Sequence, residues 1–153
     1  MAIYRENPYS AFNFIVSLGG ATGDGSEGTV IGGFSDVSGL GSEINYAEYR
    51  NGNEKPATSR KVGNTYKQDD VVLKRGLVGS TDLFAWFKAA REGRHERRPV
   101  TITLLDEARQ PVAVWVLTNA QPKKWTGPTL AAKGGGEVAM EELSLVHEGI
   151  LFE

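Results

Sequence analysis

Trp115-Val-Leu-Thr-Asn-Ala-Gln-Pro-Lys-Lys-Trp-Thr-Gly-Pro-Thr-Leu130 leads through Ala131-Ala-Lys-Gly-Gly-Gly136 into Glu137-Val-Ala-Met-Glu-Glu-Leu-Ser-Leu-Val-His-Glu-Gly-Ile150. Two strand-like runs flank a corner rich in proline and glycine. In the second run, Leu143 and Leu145 alternate with Glu142 and Ser144, the period of a half-buried strand. Trp115 and Trp125 bracket the corner and suit either core or interface anchoring. The stretch holds no arrangement of nucleophile, base or ligand, so it reads as architecture.

Working outward, the same period recurs. Val100, Ile102 and Leu104 alternate with Thr101 and Thr103. Asp106-Glu-Ala-Arg109 reads as a turn, and Pro111 opens a strand over Val112 to Leu117, so this segment predicts a hairpin. Phe12, Phe14, Val16 and Leu18 predict another strand. Thr29 to Val37 predicts one more, weakened by Gly32 and Gly33, where a bulge or close backbone approach is expected. Between these, Gly19 to Gly28 holds five glycines in ten residues and reads as a surface loop. A helix is expected over residues 80–92. Ser80 can cap it, Asp82 suits its first turn, Leu83, Phe87 and Ala90 repeat at helical spacing, and Gly93 stops it. Trp86 belongs to its core side.

Residues 43–75 break the pattern. Ile44, Tyr46 and Tyr49 have strand spacing, a polar run follows, and strand character returns from Tyr66 to Arg75. The segment predicts a projecting hairpin arm with too little apolar surface to pack on its own domain. The fold class is therefore mainly β: a small antiparallel β-barrel or sandwich, one flanking α-helix and one extended arm, all in a single domain over residues 1–153.

Composition narrows the function. The chain is 153 residues, 40% hydrophobic and 24% charged, without cysteine. That excludes a disulfide scaffold and a cysteine zinc site. No apolar run reaches the roughly 18 residues of a membrane span, and no apolar signal region opens the chain, so folding in a cytoplasm is expected. The net charge of −2 hides segregation: residues 1–54 carry seven acids and two bases, residues 55–98 eleven bases and five acids, and residues 99–153 seven acids and four bases. Such a distribution fits either a solvated mixed surface or complementary faces for head-to-tail contacts.

Catalytic patterns are missing or out of context. Gly23-Asp-Gly-Ser-Glu-Gly28 has dinucleotide-loop spacing, but a strand-like run follows where a helix is needed. The two histidines, His95 and His147, fall short of a zinc site, and His147 reads as structural. Asp69-Asp70, Asp106-Glu107 and Glu141-Glu142 are adjacent, so in strands their side chains diverge. No catalytic residue, cofactor or metal is expected. The rival reading is a monomeric β domain acting as a binding module or small hydrolase.

Four ordered blocks resemble a known family. They are Asn7-Pro-Tyr-Ser-Ala-Phe-Asn-Phe14; Gly33-Phe-Ser-Asp-Val-Ser-Gly-Leu40 with Glu48-Tyr-Arg50; Leu73-Lys-Arg-Gly-Leu-Val-Gly-Ser80 with Trp86-Phe87; and the stretch quoted first. Together they resemble the tail tube, or inner tube, proteins of contractile phages and related contractile injection systems. Lys123-Lys-Trp-Thr-Gly127 with Val146-His-Glu-Gly149 is more similar to the extracellular systems. The resemblance implies a structural protein whose β-barrels join six at a time into rings that stack as a tube. Its partners would be a sheath protein, baseplate and spike, tube-capping proteins, and a lumen cargo of protein effector or DNA. Assembly in a bacterial cytoplasm, as part of a virion or a released particle, follows. The arm would contact neighbouring subunits through Glu43, Tyr46, Glu48, Tyr49, Arg50, Lys67, Lys74 and Arg75. Thr101, Thr103, Glu142 and Ser144 alternate with apolar neighbours and are the candidates for the lumen wall.

Overall fold

The structure, a computed structural model, describes residues 5–19, 30–79, 81–134 and 137–153. Among the described residues ten strands and one helix follow in the order β1 (Phe14–Leu18), β2 (Val30–Gly32), β3 (Asp36–Ser38), β4 (Ser42–Tyr49), β5 (Arg60–Gln68), β6 (Val71–Gly76), α1 (Asp82–Arg91), β7 (Arg98–Leu105), β8 (Pro111–Thr126), β9 (Met140–Val146) and β10 (Gly149–Phe152). Eight strands form one antiparallel sheet in the order β2-β1-β7-β8-β9-β6-β3, with β10 paired to β8 beside β9. Among the described residues β4 and β5 pair only with each other. The antiparallel, mainly β architecture with one helix is the expected one; among the described residues the sheet curls round its core without closing into a barrel.

β8 holds this sheet together. Its first part pairs with β7 and β10, and Gln121 to Thr126 pairs with β9. The corner expected after Leu117 is therefore continuous strand. Two irregularities make this possible. Opposite the step from Arg98 to Val100, β8 advances from Leu117 to Ala120, so β8 carries an extra residue there. Asn119 sits in this bulge at φ 50, a left-handed conformation that asparagine tolerates better than most residues. A second bulge falls between Pro122 and Lys124, where proline's missing N–H breaks no regular ladder. Each bulge shifts the alternation by one. Leu117 and Ala120 both stay buried, three positions apart, and Trp125 returns to the core side.

Alternation builds the core. Val16 and Leu18, Val100 and Ile102, Val71 and Leu73, and Leu143 and Leu145 all turn inward. The helix adds Leu83 and Trp86. Thr81 precedes it without a side-chain cap, and Ser80, the expected cap, lies outside the described residues. Gly93, at φ 94, ends the helix as expected. Phe84 meets the Trp125 ring edge-on at 5.0 Å, fixing α1 to β8.

Two expectations about strand limits change. Residues 29–37 form no single strand: β2 joins β1, while β3 joins β6 on the far side of the sheet. The chain bends between them at Ser35, and Thr29 lies outside the described residues. The last strand divides at His147, and β10 continues the pairing along β8.

One polar cluster lies inside this apolar frame. Arg75 and Glu141 are only 5% and 2% exposed. Arg75 Nε donates to Glu141 Oε1 at 2.5 Å, and Nη2 donates to Asp82 Oδ1 at 2.5 Å. Trp125 Nε1 donates to the other Glu141 oxygen at 3.2 Å. β6, β9, α1 and β8 thus meet at one guanidinium–carboxylate centre. Burial disfavours the Arg75 charge, but its hydrogen bonds to Asp82 and Glu141 outweigh this and hold its pKa above the ordinary value. Glu142, one residue on, faces outward and pairs with Lys74 at 3.2 Å.

Adjacent glutamates should therefore behave differently. Glu141→Ala leaves the buried Arg75 guanidinium with Asp82 but without its buried carboxylate, and should cost about 3 kcal/mol in urea unfolding. Glu142→Ala should cost less than about 1 kcal/mol. Equal, small losses would show that the buried cluster contributes nothing special.

Candidate assembly interface

The β4–β5 ribbon is exposed along nearly its whole length. Its root is fixed. Gly39, at φ 86, brings its backbone so close to Asp70 that a Cβ there would lie 2.0 Å from the Asp70 carbonyl oxygen. Asp69 N–H donates to Gly41 O at 3.1 Å. Lys123 Nζ bonds Asp70 Oδ2 at 2.5 Å. His147 contributes as well: Nδ1 lies 3.1 Å from Gly149 O, and Nε2 lies 3.0 Å from Asp69 O. Both ring nitrogens face backbone carbonyls, which is the structural role expected for this histidine.

Register gives the ribbon two chemically distinct faces. Ile44 opposes Tyr66, Tyr46 opposes Gly63, and Glu48 opposes Lys61 on one face. Glu43 opposes Lys67, Ala47 opposes Val62 and Tyr49 opposes Arg60 on the other. The Asn45 side chain donates to the Thr65 hydroxyl at 3.3 Å on that second, more polar face. A bulge between Ile44 and Tyr46 adds one residue on β5, so Gly63 rather than Asn64 opposes Tyr46. Glu48 and Lys61 are ion-paired, and this pairing lowers the Glu48 pKa. Arg50 closes the tip by donating to Pro56 O at 2.9 Å and Glu54 O at 2.7 Å.

Of the expected arm residues, Glu43, Tyr46, Glu48, Tyr49, Arg50 and Lys67 lie on the ribbon or at its tip. Lys74 and Arg75 do not. The ribbon ends at Gln68, and both belong to β6 in the main sheet. Arg75 fills the buried cluster and offers no surface to a neighbour. Its parity explains this: Val71, Leu73 and Arg75 share the inward face.

The four lumen candidates all point away from the core, in two separate patches. Thr101 and Thr103 lie beside Val116 and Val114 on one flank and Ser17 and Ile15 on the other. Glu142 lies between Lys74 and Thr126, and Ser144 between Val72 and Lys124. Along β8 the patches stand roughly 25 Å apart at about 3.3 Å per residue. The first patch is mixed apolar and hydroxyl; the second is charged.

At the other end, Arg5 binds the Glu107 carboxylate through two nitrogens, at 2.9 and 3.0 Å. This pairing, with a backbone hydrogen bond, lowers the Glu107 pKa to about 2. Among the described residues no group of three His, Asp or Glu side chains could hold a metal ion, and no helix is long and apolar enough to cross a membrane. The Gly23–Gly28 loop lies outside the described residues.

The family model of the T4-like virus tail tube protein gp19 matches residues 10–151. The chain belongs to this tail tube family. Its fold is that of solved contractile-system chains. One, in the cryo-EM structure of the extended PVC sheath-tube complex, an extracellular contractile injection system, is 27% identical with a TM-score of 0.81, over 97% of this chain and 93% of that one. Another, in the six-fold symmetrised baseplate of the anti-feeding prophage, is 23% identical with a TM-score of 0.84, over 97% of both chains. Hcp1 from Flavobacterium johnsoniae shares the fold at 14% identity and a TM-score of 0.56, over 91% of this chain and 93% of that one. No curated protein matches.

The ribbon generates a prediction for this family member. A lone two-stranded ribbon is marginal in water. Its amides should exchange rapidly in the free subunit and become protected on assembly. Replacing residues 47–62 by Asn-Gly, a favoured hairpin turn, should spare folding and abolish assembly. Normal assembly of the shortened chain would show that the ribbon is no interface.

Proposed function

We propose that this chain is the inner-tube subunit of a contractile injection system, in which six copies close a ring and the rings stack into a hollow tube. The observation that carries the reading is the β4–β5 ribbon, which is rooted firmly, exposed on both faces and larger than its own domain can cover. A head-to-tail contact that closes by rotation makes a ring, and an axial repeat of rings makes a tube. The likeness to a chain of the PVC sheath-tube complex supports this reading over a phage tail.

The partners in this reading are a surrounding sheath, a baseplate with its spike, and a tube-terminating cap. Sheath contraction drives the tube as a shaft, and its lumen carries a protein effector or DNA. The role is structural, with assembly in a bacterial cytoplasm and release as a particle. Glu43, Tyr46, Glu48, Tyr49, Arg50 and Lys67 serve as subunit contacts.

Purified protein should form six-fold rings or short tubes in negative-stain images. Rising salt should weaken association, because exposed charges are screened within about 10 Å at 0.1 M. A monomer at every concentration, with or without a baseplate ring to nucleate growth, would overturn the proposal.

The lumen wall follows from polarity. Glu142 and Ser144, beside Lys74 and Lys124, make a hydrated surface to which passing cargo does not adhere. Thr101 and Thr103, beside Ile15, Val114 and Val116, suit contact with protein instead. Cysteines at 142 and 144 in assembled tubes should react with a small thiol reagent and resist one too bulky for the pore. Full labelling by the bulky reagent away from tube ends would place these residues outside.

A further inference from the structure

The tip of the ribbon holds a reactive dipeptide. Of the chain's asparagines only Asn51 precedes glycine; the others precede Pro8, Phe14, Tyr46, Glu54, Thr65 and Ala120. The difference is chemical. A backbone nitrogen can attack the side-chain amide carbon of the asparagine before it and close a five-membered ring, one reason asparagine is thermolabile. A side chain on the attacking residue crowds that approach. Proline has no N–H to lose, and glycine alone has no Cβ in the way.

Asn51 opens a turn in which Glu54 N–H donates to Asn51 O at 3.1 Å. Two further bonds hold its side-chain amide. The Tyr49 hydroxyl donates to Asn51 Oδ1, and Asn51 Nδ2 donates to Glu54 Oε1 at 3.3 Å. Glu54 is in turn ion-paired with Arg60 at 2.6 Å, and Arg60 opposes Tyr49 across the ribbon. The amide therefore links Tyr49 to the Glu54–Arg60 pair. Ring closure must swing it out of both bonds, so the folded tip acts as a brake. An exposed two-stranded ribbon opens locally at small cost, so the brake slips.

We propose that Asn51-Gly52 is a site of spontaneous deamidation that marks unassembled subunits, at a rate set by the Tyr49 and Glu54 bonds. The Gly52 nitrogen bonds to Asn51 Cγ and gives up its proton through solvent. The Cγ–Nδ2 bond breaks, and Nδ2 takes up a proton and leaves as ammonia. One water then opens the ring imide to aspartate or its β-linked isomer, with no oxidant, reductant or cofactor. Either product sets a carboxylate against Glu54 where a donor stood, and like charges at that spacing repel. The β-linked product also adds a backbone atom, which disturbs the register of Tyr49 with Arg60. The chemistry stands on the tip alone; the loss of assembly that should follow rests on the tube reading.

Free subunits aged in mildly alkaline buffer and mapped by peptide mass should show the amide-to-acid mass increase at Asn51 ahead of every other asparagine. A Cβ at Gly52 would meet nothing within 4 Å, and its φ is not left-handed, so Gly52→Ala fits without strain and should slow conversion at least tenfold. Tyr49→Phe releases one bond and should speed conversion at least twofold, toward the rate of the same chain unfolded in guanidinium chloride. A native subunit that stays unconverted while the unfolded chain converts, or an unchanged rate in Tyr49→Phe, would overturn the proposal. Asn51→Asp should melt like wild type yet need a higher concentration to assemble, and tubes grown from an aged sample should leave the converted subunits behind. If Asn51→Asp assembles like wild type, the mark carries no consequence and the proposal fails while the tube reading stands. If wild type never assembles, the tube reading fails, and the mass and rate measurements still decide the chemistry.

Discussion

Arg75 is the point at which the curled sheet, the helix and the buried carboxylates are tied together. A guanidinium can satisfy several acceptors in one plane. Here its Nε serves Glu141 of β9 and its Nη2 serves Asp82 at the start of α1. Glu141 is also held by Trp125 of β8. Apolar burial alone would let the helix slide over the sheet at small cost. Directional bonds between buried groups remove that freedom, because any other position leaves a charge unpaired. The Phe84–Trp125 contact then has one geometry, and so does the end of the core capped by Leu83 and Trp86.

β8 extends this constraint along the sheet. Its two bulges turn a strand that would otherwise rotate residues outward into one that keeps Leu117, Ala120 and Trp125 on the inner side. The ribbon root is treated similarly. Gly39, Asp69, Asp70, Lys123 and His147 hold it in several directions. Beyond the root, restraint stops, and the ribbon has only its own pairing. The boundary between what the subunit orders itself and what it offers outward is therefore sharp, at Gly41 and Asp69.

Much of this was legible in the sequence. Period two placed β1, β7 and β9, and helical spacing placed α1 with its glycine stop. The resemblance to tail tube proteins gave the family, and the arm was readable from its want of apolar partners. Other features were hidden for physical reasons. Asn119 and Pro122 look like strand breakers, and only the paired neighbours reveal them as bulges. Thr29 to Val37 has the composition of one strand, but partner choice splits it, which no local pattern encodes. Arg75 and Glu141 each share parity with two buried apolar residues, Val71 and Leu73 on one strand, Leu143 and Leu145 on the other. That parity was the available signal for the buried pair.

The continuity of β8 has a mechanical consequence. A strand of 16 residues that serves both flanks of the sheet leaves no hinge between them. Bending one flank against the other would break ladder bonds and the buried ion cluster together. The main sheet of each subunit is therefore a stiff block. In any polymer of this chain, flexibility and twist must reside at the seams between blocks, and a load applied to the polymer is carried by the blocks and yields first at their joints.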